Sequence, residues 1–367
     1  MPPAPQTVRI PAEALARQIE AIFLAWGMEA EAARVTTERL IEADLRGIDS
    51  HGIAMLRYYE EFRQSGHLAF KPEIRVVRET AVTALMDAGG GLGHYPSTLA
   101  TDLVIAKARA AGVAVVAVRN SNHNGAAGVY VQRMAEAGLV GMSGTNVHRP
   151  SIVPTFGAEA MFGTNPIAFA APAKRNRPFV LDMATSTAAI GKFRLAQMHG
   201  HAVPEGWALD EVGRPLTDPA RALILRLLTP LGGMREQGGH KGYGLAAMIE
   251  ILSAVLPGAM PAPLRNRPHG PSRTSPNADN RLDVGHFFAA VDPKAFREPG
   301  EFEADMDDLI DALRATRAAD DSQPVLVAGD PEYAAMEDRR RNGIPVPAPL
   351  LGLLRDLAGA AKAPVTL

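Results

Sequence analysis

The sequence predicts an α/β protein, of the α+β kind, in which a helical layer built from both chain ends surrounds a central α/β domain. Both ends show apolar residues at helical spacing, whereas the middle alternates strand-like apolar runs with amphipathic helices. Hydrophobic residues make up 47% of the 367 residues, which is enough for a large core. We therefore expect a helical domain over residues 1–75, completed by 331–367, and a central domain over 76–330.

The N-terminal end predicts three helices. The first has apolar residues at helical spacing, namely Leu15, Ile19, Ile22, Phe23 and Trp26, and it stops at Gly27. The second is "EAEAARVTTERLIEADLRG", which ends at Gly47. The third is "SHGIAMLRYYEEFRQSG", with Asp49 or Ser50 as its N-cap and Gly66 at its end. The first ~70 residues therefore read as all-helical.

The central part predicts strands and helices in alternation. Strands are expected at "EIRVV", "VTALMDA", "VAVVAVRN", "LVGMSGTN", "AMFGTNPIAFAAP", "PFVLDMAT", "HFFAAVD" and "PVLVAGD". Helices are expected at "GHYPSTLATDLVIAKARAAG", "GAAGVYVQRMAEAG", the buried "KGYGLAAMIEILSAVL" and "FEADMDDLIDALRATR". Residues 261–280 lack periodicity and predict a functional or mobile loop. The tail returns to helix at "EYAAMEDRRRNG" and "APLLGLLRDLAGAAK".

Composition excludes several classes of function. A net charge of −2 without a basic run argues against a nucleic-acid partner. The absence of cysteine excludes disulfides, thiolate metal sites and cysteine nucleophiles, and it suits a reducing cytosol. No H-E-x-x-H or H-x-x-E-H motif occurs, so no metal is expected. The start of the chain lacks a signal-peptide pattern, and no apolar run approaches the ~18 residues of a membrane span. We therefore expect a cytoplasmic protein without a membrane partner.

Two glycine-containing stretches fail as phosphate-binding motifs. The stretch "MDAGGGLGH" follows a strand, but its glycines cannot be written as G-x-G-x-x-G, and the strand that follows does not end in an acidic residue. The stretch "TSTAAIGKF" has Ser186 and Phe193 where a phosphate loop needs glycine and Ser or Thr. An ordinary Rossmann site and a P-loop are therefore not expected.

Two polar stretches contain candidate site histidines. In "NSNHNGAAGVY" His123 follows a strand and precedes a helix, where ligands of α/β sheets tend to bind; the alternative is an asparagine-rich turn with an incidental histidine. In "RGIDSHGI" His51 would lie near the first helical position, where the helix dipole lowers the pKa of an imidazole. A capped helix start and a proton-transfer site both fit that second pattern.

Seven ordered blocks resemble the malate/L-lactate dehydrogenase family. They are "RGIDSHG", "NSNHNGAAGVY", "FGTNPIAFAAP", "LDMATS" followed by Gly191 and Lys192, "PEGWALDEVGRPLTDP", "GGHKGYGLA" and "VAGDPEY…RRRNGIP". That family also contains ureidoglycolate, sulfolactate and diketogulonate oxidoreductases and cyclic-imine carboxylate reductases. The resemblance implies a homodimer with a non-Rossmann, mixed-sheet cofactor domain. It also implies hydride transfer between NAD or NADP and a small 2-hydroxy/2-oxo acid, of the malate, lactate or ureidoglycolate type. Reduction of a cyclic imine carboxylate with NADPH is the alternative.

The resemblance also implies roles for individual residues. The catalytic residues would be Ser50, His51 and His123. The cofactor-binding residues would be His123, Asn124, Gly125, Ala126, Ala127, His148, Asp182, Met183, Ala184, Lys241, Gly329 and Asp330. Substrate contacts would come from Thr164, Gly191 and Lys192. In this chemistry a histidine neutralises the charge that develops on the substrate oxygen, which typically contributes ~10²–10⁴-fold.

Two departures from the family pattern affect the substrate. Several members carry a carboxylate-binding arginine where this chain has Met55, so Arg46 or Arg57 would have to serve. Imine-reducing members carry an acidic residue where this chain has Lys192, which favours hydroxy acids.

Overall fold

The structure is a computed structural model that describes residues 7–265 and 281–367. Its helices are α1 (Ala12–Ala25), α2 (Ala30–Leu45), α3 (Leu56–Gln64), α4 (His94–Ala111), α5 (Gly128–Glu136), α6 (Ile190–His199), α7 (Pro219–Leu225), α8 (Gly239–Glu250), α9 (Glu301–Arg314), α10 (Asp330–Asn342) and α11 (Ala348–Ala361). Its strands are β1 (Thr7–Ile10), β2 (Arg75–Glu79), β3 (Thr83–Asp87), β4 (Val113–Ser121), β5 (Val140–Thr145), β6 (Ile167–Ala171), β7 (Phe179–Met183), β8 (Ala208–Leu209), β9 (Pro215–Leu216), β10 (Val284–Val291) and β11 (Ile344–Pro347). The loop predicted over 261–280 lies, from residue 266 onwards, outside the described residues.

A seven-stranded mixed sheet forms the centre of the fold. Its strand order is β2-β3-β4-β10-β5-β6-β7. Strands β3 and β4 run parallel, and the other neighbours run antiparallel. The apolar run of β10 lies between β4 and β5 and is almost wholly buried, as expected for a central strand. Because a Rossmann sheet is mostly parallel, this order confirms the non-Rossmann fold class.

The helical domain is built from both chain ends, as predicted. A single apolar core joins Leu15, Phe23 and Leu40 from the N-terminal helices to Leu354 and Leu357 of α11. The sequence reading of an all-helical start was incomplete, because β1 pairs antiparallel with β11. Three of the four β1 residues are exposed, and their partner lies at the far end of the chain, so local periodicity could not reveal the strand.

Two other element predictions were wrong. The segment "PVLVAGD" does not form a strand in the described part of the chain. Its contact with the edge strand β7 is a hydrogen bond from the amide of Val180 to the carbonyl of Ala328, and Pro324 has no amide proton to donate to a sheet. The helix predicted as buried is α8, which continues as a π-helical turn, Ile251–Val255. The face of α8 that carries Gly242 and Ala246 is buried. Met248, Ile251, Val255 and Leu256 are exposed, which leaves an apolar patch on the surface of the single chain.

Residues 186–230 form a small lobe with its own apolar core. Phe193, Val203, Ala208 and Leu228 are among the buried residues of that core, which α6, α7, β8 and β9 enclose. Isolated bridges join the lobe to the rest of the fold, including a parallel bridge between Ile152 and Leu228. Within residues 7–265 and 281–367, no helix has both the length and the apolar character needed to cross a membrane.

Candidate active site

The turn after α2 presents His51, but not as the start of a helix. The predicted N-caps do not cap: the Oγ of Ser50 lies 2.8 Å from Nδ1 of His51, and the carboxylate of Asp49 pairs with Arg339. A 3₁₀ turn at Ile53–Met55 precedes α3, which begins at Leu56. His51 therefore lies in a turn ahead of the helix, and the cap predicted at Asp49 or Ser50 was wrong. Burial, rather than the position at a helix start, lowers the pKa of His51.

The side chain of Asp44 on α2 holds the turn that carries His51 in place. Its Oδ2 accepts a hydrogen bond from the amide of Ile53 at 2.8 Å. Gly52 packs so closely on the same carboxyl group that a Cβ there would lie 1.9 Å from Oδ1 of Asp44. Burial raises the pKa of Asp44 to about 8, so this carboxyl group is mainly protonated at neutral pH. Glycine at position 52 is thus required by this close contact rather than by a turn conformation.

His123 lies in the loop between β4 and α5, and it meets His51. The two imidazole rings stack with centroids 5.5 Å apart and planes inclined by 23°. The Nδ1 of His123 lies 2.8 Å from the hydroxyl of Tyr59 and 3.3 Å from the amide of Gly125. Because an amide can only donate, Nδ1 acts as an acceptor and the ring proton belongs on Nε2. Burial holds the pKa of His123 well below its usual range, and the neighbouring histidines, beginning with His51, lower it further.

Two residues of this cluster were missed by sequence reasoning. Tyr59 is fully buried on α3, and its ring centroid lies 5.9 Å from that of His123. His94 begins α4, and both of its ring nitrogens are buried without a hydrogen-bond partner in the described part of the chain. Burial lowers the pKa of His94 to about 3, so its ring is neutral. A Cβ on Gly125 would lie 2.8 Å from Nε2 of His94, so the His123 loop packs directly against this ring.

The segment that ends β7 lies beside the same loop. The Oδ2 of Asp182 accepts a hydrogen bond from the amide of Gly128, the first residue of α5, at 2.7 Å. Burial raises the pKa of Asp182 to about 6. Met183 and Ala184 follow, and the amide of Thr185 donates to the carbonyl of Thr164 at 2.8 Å. The predicted Asp182–Ala184 triplet and Thr164 therefore sit together at the end of one strand, next to α5.

The residues predicted to contact the substrate lie on several different elements. Arg46 is buried, with a side chain only 2% exposed, and its Nη2 lies 3.4 Å from Glu42. Arg57 is 70% exposed and forms a surface ion pair with Glu61 on α3. Lys192 extends over the ring of Trp207 at 5.5 Å within the lobe, and a Cβ on the neighbouring Gly191 would meet no atom within 4 Å.

The remaining predicted cofactor residues are spread over three other places. The ring of His148 contacts Phe62 of α3 at 5.4 Å, and burial lowers its pKa to about 4. Lys241 lies in the first turn of α8. Gly329 has a φ of +102° and directly precedes α10. Asp330 pairs with Arg314 at 2.6 Å, and this hydrogen bond lowers the pKa of Asp330.

The donors and acceptors around these residues are compatible with a dinucleotide. An open groove of about 580 Å³ adjoins Asp330, and in it the guanidinium of Arg177 lies 4.9 Å from the ring centroid of Tyr333. Next to His123, the side-chain oxygen of Asn124 is buried and has no hydrogen-bond partner among residues 7–265 and 281–367. Such an oxygen can accept a hydrogen bond from the N–H group of a carboxamide. No cluster of histidine and acidic side chains that could hold a metal ion occurs in the same two ranges.

Comparison with known proteins agrees with the resemblance found in the sequence. A family model described as malate/L-lactate dehydrogenase matches residues 10–355. The malate dehydrogenase of Pyrococcus abyssi is 39% identical over 352 residues, which cover 96% of this chain and 94% of that protein. The crystal structure of malate dehydrogenase from Entamoeba histolytica has a TM-score of 0.90 at 31% identity, covering 99% of this chain and all of that one (100%).

A structural neighbour with a different printed activity bears on the alternative function. The crystal structure of delta1-piperideine-2-carboxylate reductase from Pseudomonas syringae pvar. tomato has a TM-score of 0.81 at 30% identity, covering 96% of this chain and 100% of that one. A fold of this kind thus accommodates both types of reaction, so the fold alone does not choose between them.

Proposed function

We propose, since the chain belongs to the malate/L-lactate dehydrogenase family, that it moves a hydride between NAD or NADP and a small 2-hydroxy acid. The chain is an oxidoreductase that acts on the CH–OH group of hydroxy acids. The observation that carries the proposal is the stacked pair of His51 and His123, each with a hydroxyl partner, Ser50 and Tyr59. When bound, the nicotinamide supplies or accepts the hydride.

His51 is the proposed acid/base. Its Nδ1 is engaged by Ser50, so Nε2 is the atom left to take the hydroxyl proton during oxidation and to return it during reduction. Tyr59 and Gly125 hold the ring of His123 in one tautomer, and this ring lines the cofactor side of the site. The residues that would hold the cofactor are the Asn124–Ala127 loop, Asp182, Lys241, Gly329 and Asp330. Thr164, Gly191 and Lys192 remain proposed substrate contacts.

Arg57 is the better candidate for the carboxylate clamp. Among the residues that the structure describes, its one ion pair is an exposed pair with Glu61. Such pairs are typically worth under ~1 kcal/mol, so a bound carboxylate can compete for the guanidinium. Arg46 is enclosed beside Glu42, and its charge acts on Asp182. We therefore propose that Arg46 stabilises the segment around Asp182 and does not bind the substrate carboxylate.

The test of this function is a substrate panel. Malate, lactate, ureidoglycolate and their 2-oxo products are each supplied with both cofactors, and the absorbance of the reduced nicotinamide is followed. The panel also decides between NAD and NADP. Absence of turnover across the whole panel would refute the proposal.

Reduction of a cyclic imine carboxylate with NADPH is the second candidate, and the piperideine-2-carboxylate reductase neighbour supports it. Lys192 argues against imine reduction, because imine-reducing members carry an acidic residue at this position, whereas here a cation lies over the ring of Trp207. Imine and keto acids assayed side by side with NADPH separate the two functions.

Assembly and location are also proposed. The exposed apolar patch of Met248, Ile251, Val255 and Leu256 supports a homodimer, because patches of this kind mark contact surfaces. Sedimentation of the purified protein tests this assignment. A cysteine-free, nearly neutral chain is consistent with the cytoplasm.

The pH dependence should differ between the two directions of reaction. Oxidation needs neutral His51, and burial places its pKa below the usual ~6.5, so kcat/KM for oxidation should stay flat from about pH 8 down to about pH 6.5. Reduction needs the protonated ring, so its kcat/KM should fall about tenfold for each unit by which the pH rises from about 6.5 to about 8. Initial rates in both directions measure this, and an oxidation rate that climbs tenfold per unit there would contradict it.

Removing the hydroxyl of Tyr59 should have a moderate effect. In Tyr59→Phe the Nδ1 of His123 keeps Gly125 as a donor but loses the shorter hydrogen bond. We expect kcat to fall about 2- to 12-fold, which corresponds to one hydrogen bond of about 0.5–1.5 kcal/mol. Tyr95→Phe, which removes a hydroxyl group from a ring packed on the helical core, is the control and should leave kcat unchanged. An unaltered kcat in Tyr59→Phe would remove Tyr59 from the site.

A further inference from the structure

Three arginines converge where the helical domain, the sheet and the lobe 186–230 meet. The parallel bridge between Ile152 and Leu228 lays two segments side by side, with hydrogen bonds from Leu228 to Ser151 at 2.8 Å and from Val153 to Leu228 at 2.9 Å. Arg149 precedes the first segment and Arg226 precedes the second, so their side chains start from neighbouring backbone. The third arginine, Arg194 of α6, donates through Nη2 to the hydroxyl of Tyr58 on α3 at 3.1 Å.

Within residues 7–265 and 281–367, no acidic side chain is paired with this cluster. The groups that act electrostatically on Arg226 are the guanidinium groups of Arg149 and Arg194 and the phenol of Tyr58, with no carboxylate among them. Burial and then Arg149 lower the pKa of Arg226, and its Nε is buried without an acceptor in the described residues. The nearby Arg221 behaves like an ordinary surface arginine and pairs with Glu211. Placing like charges close together without a counter-charge is energetically unfavourable, so the site suits the binding of an anionic ligand.

Arg226 is also held in an unusual backbone conformation. Its φ of +55° lies in the left-handed region, which residues with a side chain seldom adopt. Such strain collects at sites where the position of a side chain matters.

The cluster is linked to the reaction centre through α3 and His148. Tyr58 and Phe62 are four residues apart on one face of α3, and Phe62 contacts His148. Arg149 and Arg226 are among the cations that lower the pKa of His148, and His148 in turn lowers that of His123. The next residue of α3, Tyr59, bonds to His123 itself. Contacts through α3 therefore connect the arginine cluster with the residues around His123.

We infer that Arg149, Arg194 and Arg226 form a subsite for a second acidic group of the substrate, a carboxylate or sulfonate distal to the reacting carbon. The enzyme would then prefer dianionic 2-hydroxy acids over monoanionic ones of the same length. This inference rests on the proposed function. The groove at Asp330, by contrast, contains Arg175, Arg177 and Arg314 and shares no residue with the cluster.

The test compares two four-carbon substrates that differ in the distal carboxylate, oxaloacetate and 2-oxobutanoate. In Arg226→Gln and, separately, Arg194→Gln, kcat/KM for oxaloacetate should fall about 10- to 100-fold, the value of a charge-assisted contact, while 2-oxobutanoate changes less than about threefold. Arg194 is exposed on α6, so its variant keeps the test valid if Arg226→Gln folds poorly. The control Arg221→Gln removes a lobe arginine that already has a partner and should change neither substrate. Equal losses on both substrates, or a raised KM for the cofactor instead, would overturn the subsite.

A binding measurement separates this inference from the proposed function. Succinate should protect the wild-type protein from thermal unfolding more than butyrate does, and Arg194→Gln should abolish the difference. If no 2-oxo acid is turned over but this difference is found and lost as described, the proposed function fails and the anion subsite stands. If 2-oxo acids are reduced while succinate and butyrate protect equally, the subsite is refuted.

Discussion

Replacing His51 with asparagine is expected to lower kcat for hydroxy-acid oxidation ~10²–10⁴-fold, the usual contribution of a positioned general base. Asparagine can keep a hydrogen bond to Ser50 but cannot accept the substrate proton at neutral pH. Initial rates at saturating cofactor and substrate measure the effect. The pH dependence of reduction should weaken as well, because the titrating group is gone.

The matched control for this variant is His199→Asn. His199 ends α6 at an exposed position, so its replacement should leave turnover intact. Cofactor binding, followed by fluorescence, should survive in both variants. Near-normal turnover in His51→Asn would contradict the assignment, and a severe loss in His123→Asn alone would transfer the proton role to His123.

Replacing Gly52 with alanine is expected to have the second large effect. The added Cβ would lie 1.9 Å from Oδ1 of Asp44, far inside contact distance, and the carboxyl group is buried and cannot move aside freely. Overpacking of this kind costs about 1–3 kcal/mol of unfolding free energy. The turn that carries His51 must also shift, and a displacement of about 1 Å can lower turnover ~10²-fold.

Gly352→Ala supplies the control for Gly52→Ala. Gly352 lies within α11, and a Cβ there meets no atom within 4 Å. This change should leave kcat unaltered and stabilise the protein by up to about 1 kcal/mol, since alanine favours a helix over glycine. Urea unfolding midpoints and kcat are measured on both variants. A Gly52→Ala protein with wild-type midpoint and turnover would show that Asp44 does not constrain the His51 turn.

The sequence was sufficient for features that local pattern encodes. The strand-like runs "LVGMSGTN" and "HFFAAVD" identified β5 and β10, and the failed glycine fingerprint anticipated a sheet that is not of the Rossmann type. His51 and His123 could each be singled out as candidates from their sequence neighbours, with an incidental histidine as the alternative. Their stacking could not, because it depends on how the turn after α2 faces the end of β4.

What the sequence missed depends on tertiary contacts. Tyr59 occupies a helical position where a buried aromatic residue normally serves the core, and only its hydroxyl contact with His123 distinguishes it. Arg226 joins Arg149 through the pairing of Ile152 with Leu228, which no spacing in the chain reveals. The domain limits at residues 75 and 330 stay predictions.

Transfer of a labelled hydrogen tests the central claim most directly. The protein is incubated with NAD or NADP in the oxidised form and with malate or lactate carrying deuterium at C2, and the reduced cofactor is analysed by mass spectrometry. We expect deuterium to move from C2 of the hydroxy acid to the nicotinamide, with the rate strongly reduced in His51→Asn. Reduced cofactor without deuterium, or no reduction with either cofactor, would contradict direct hydride transfer at this site.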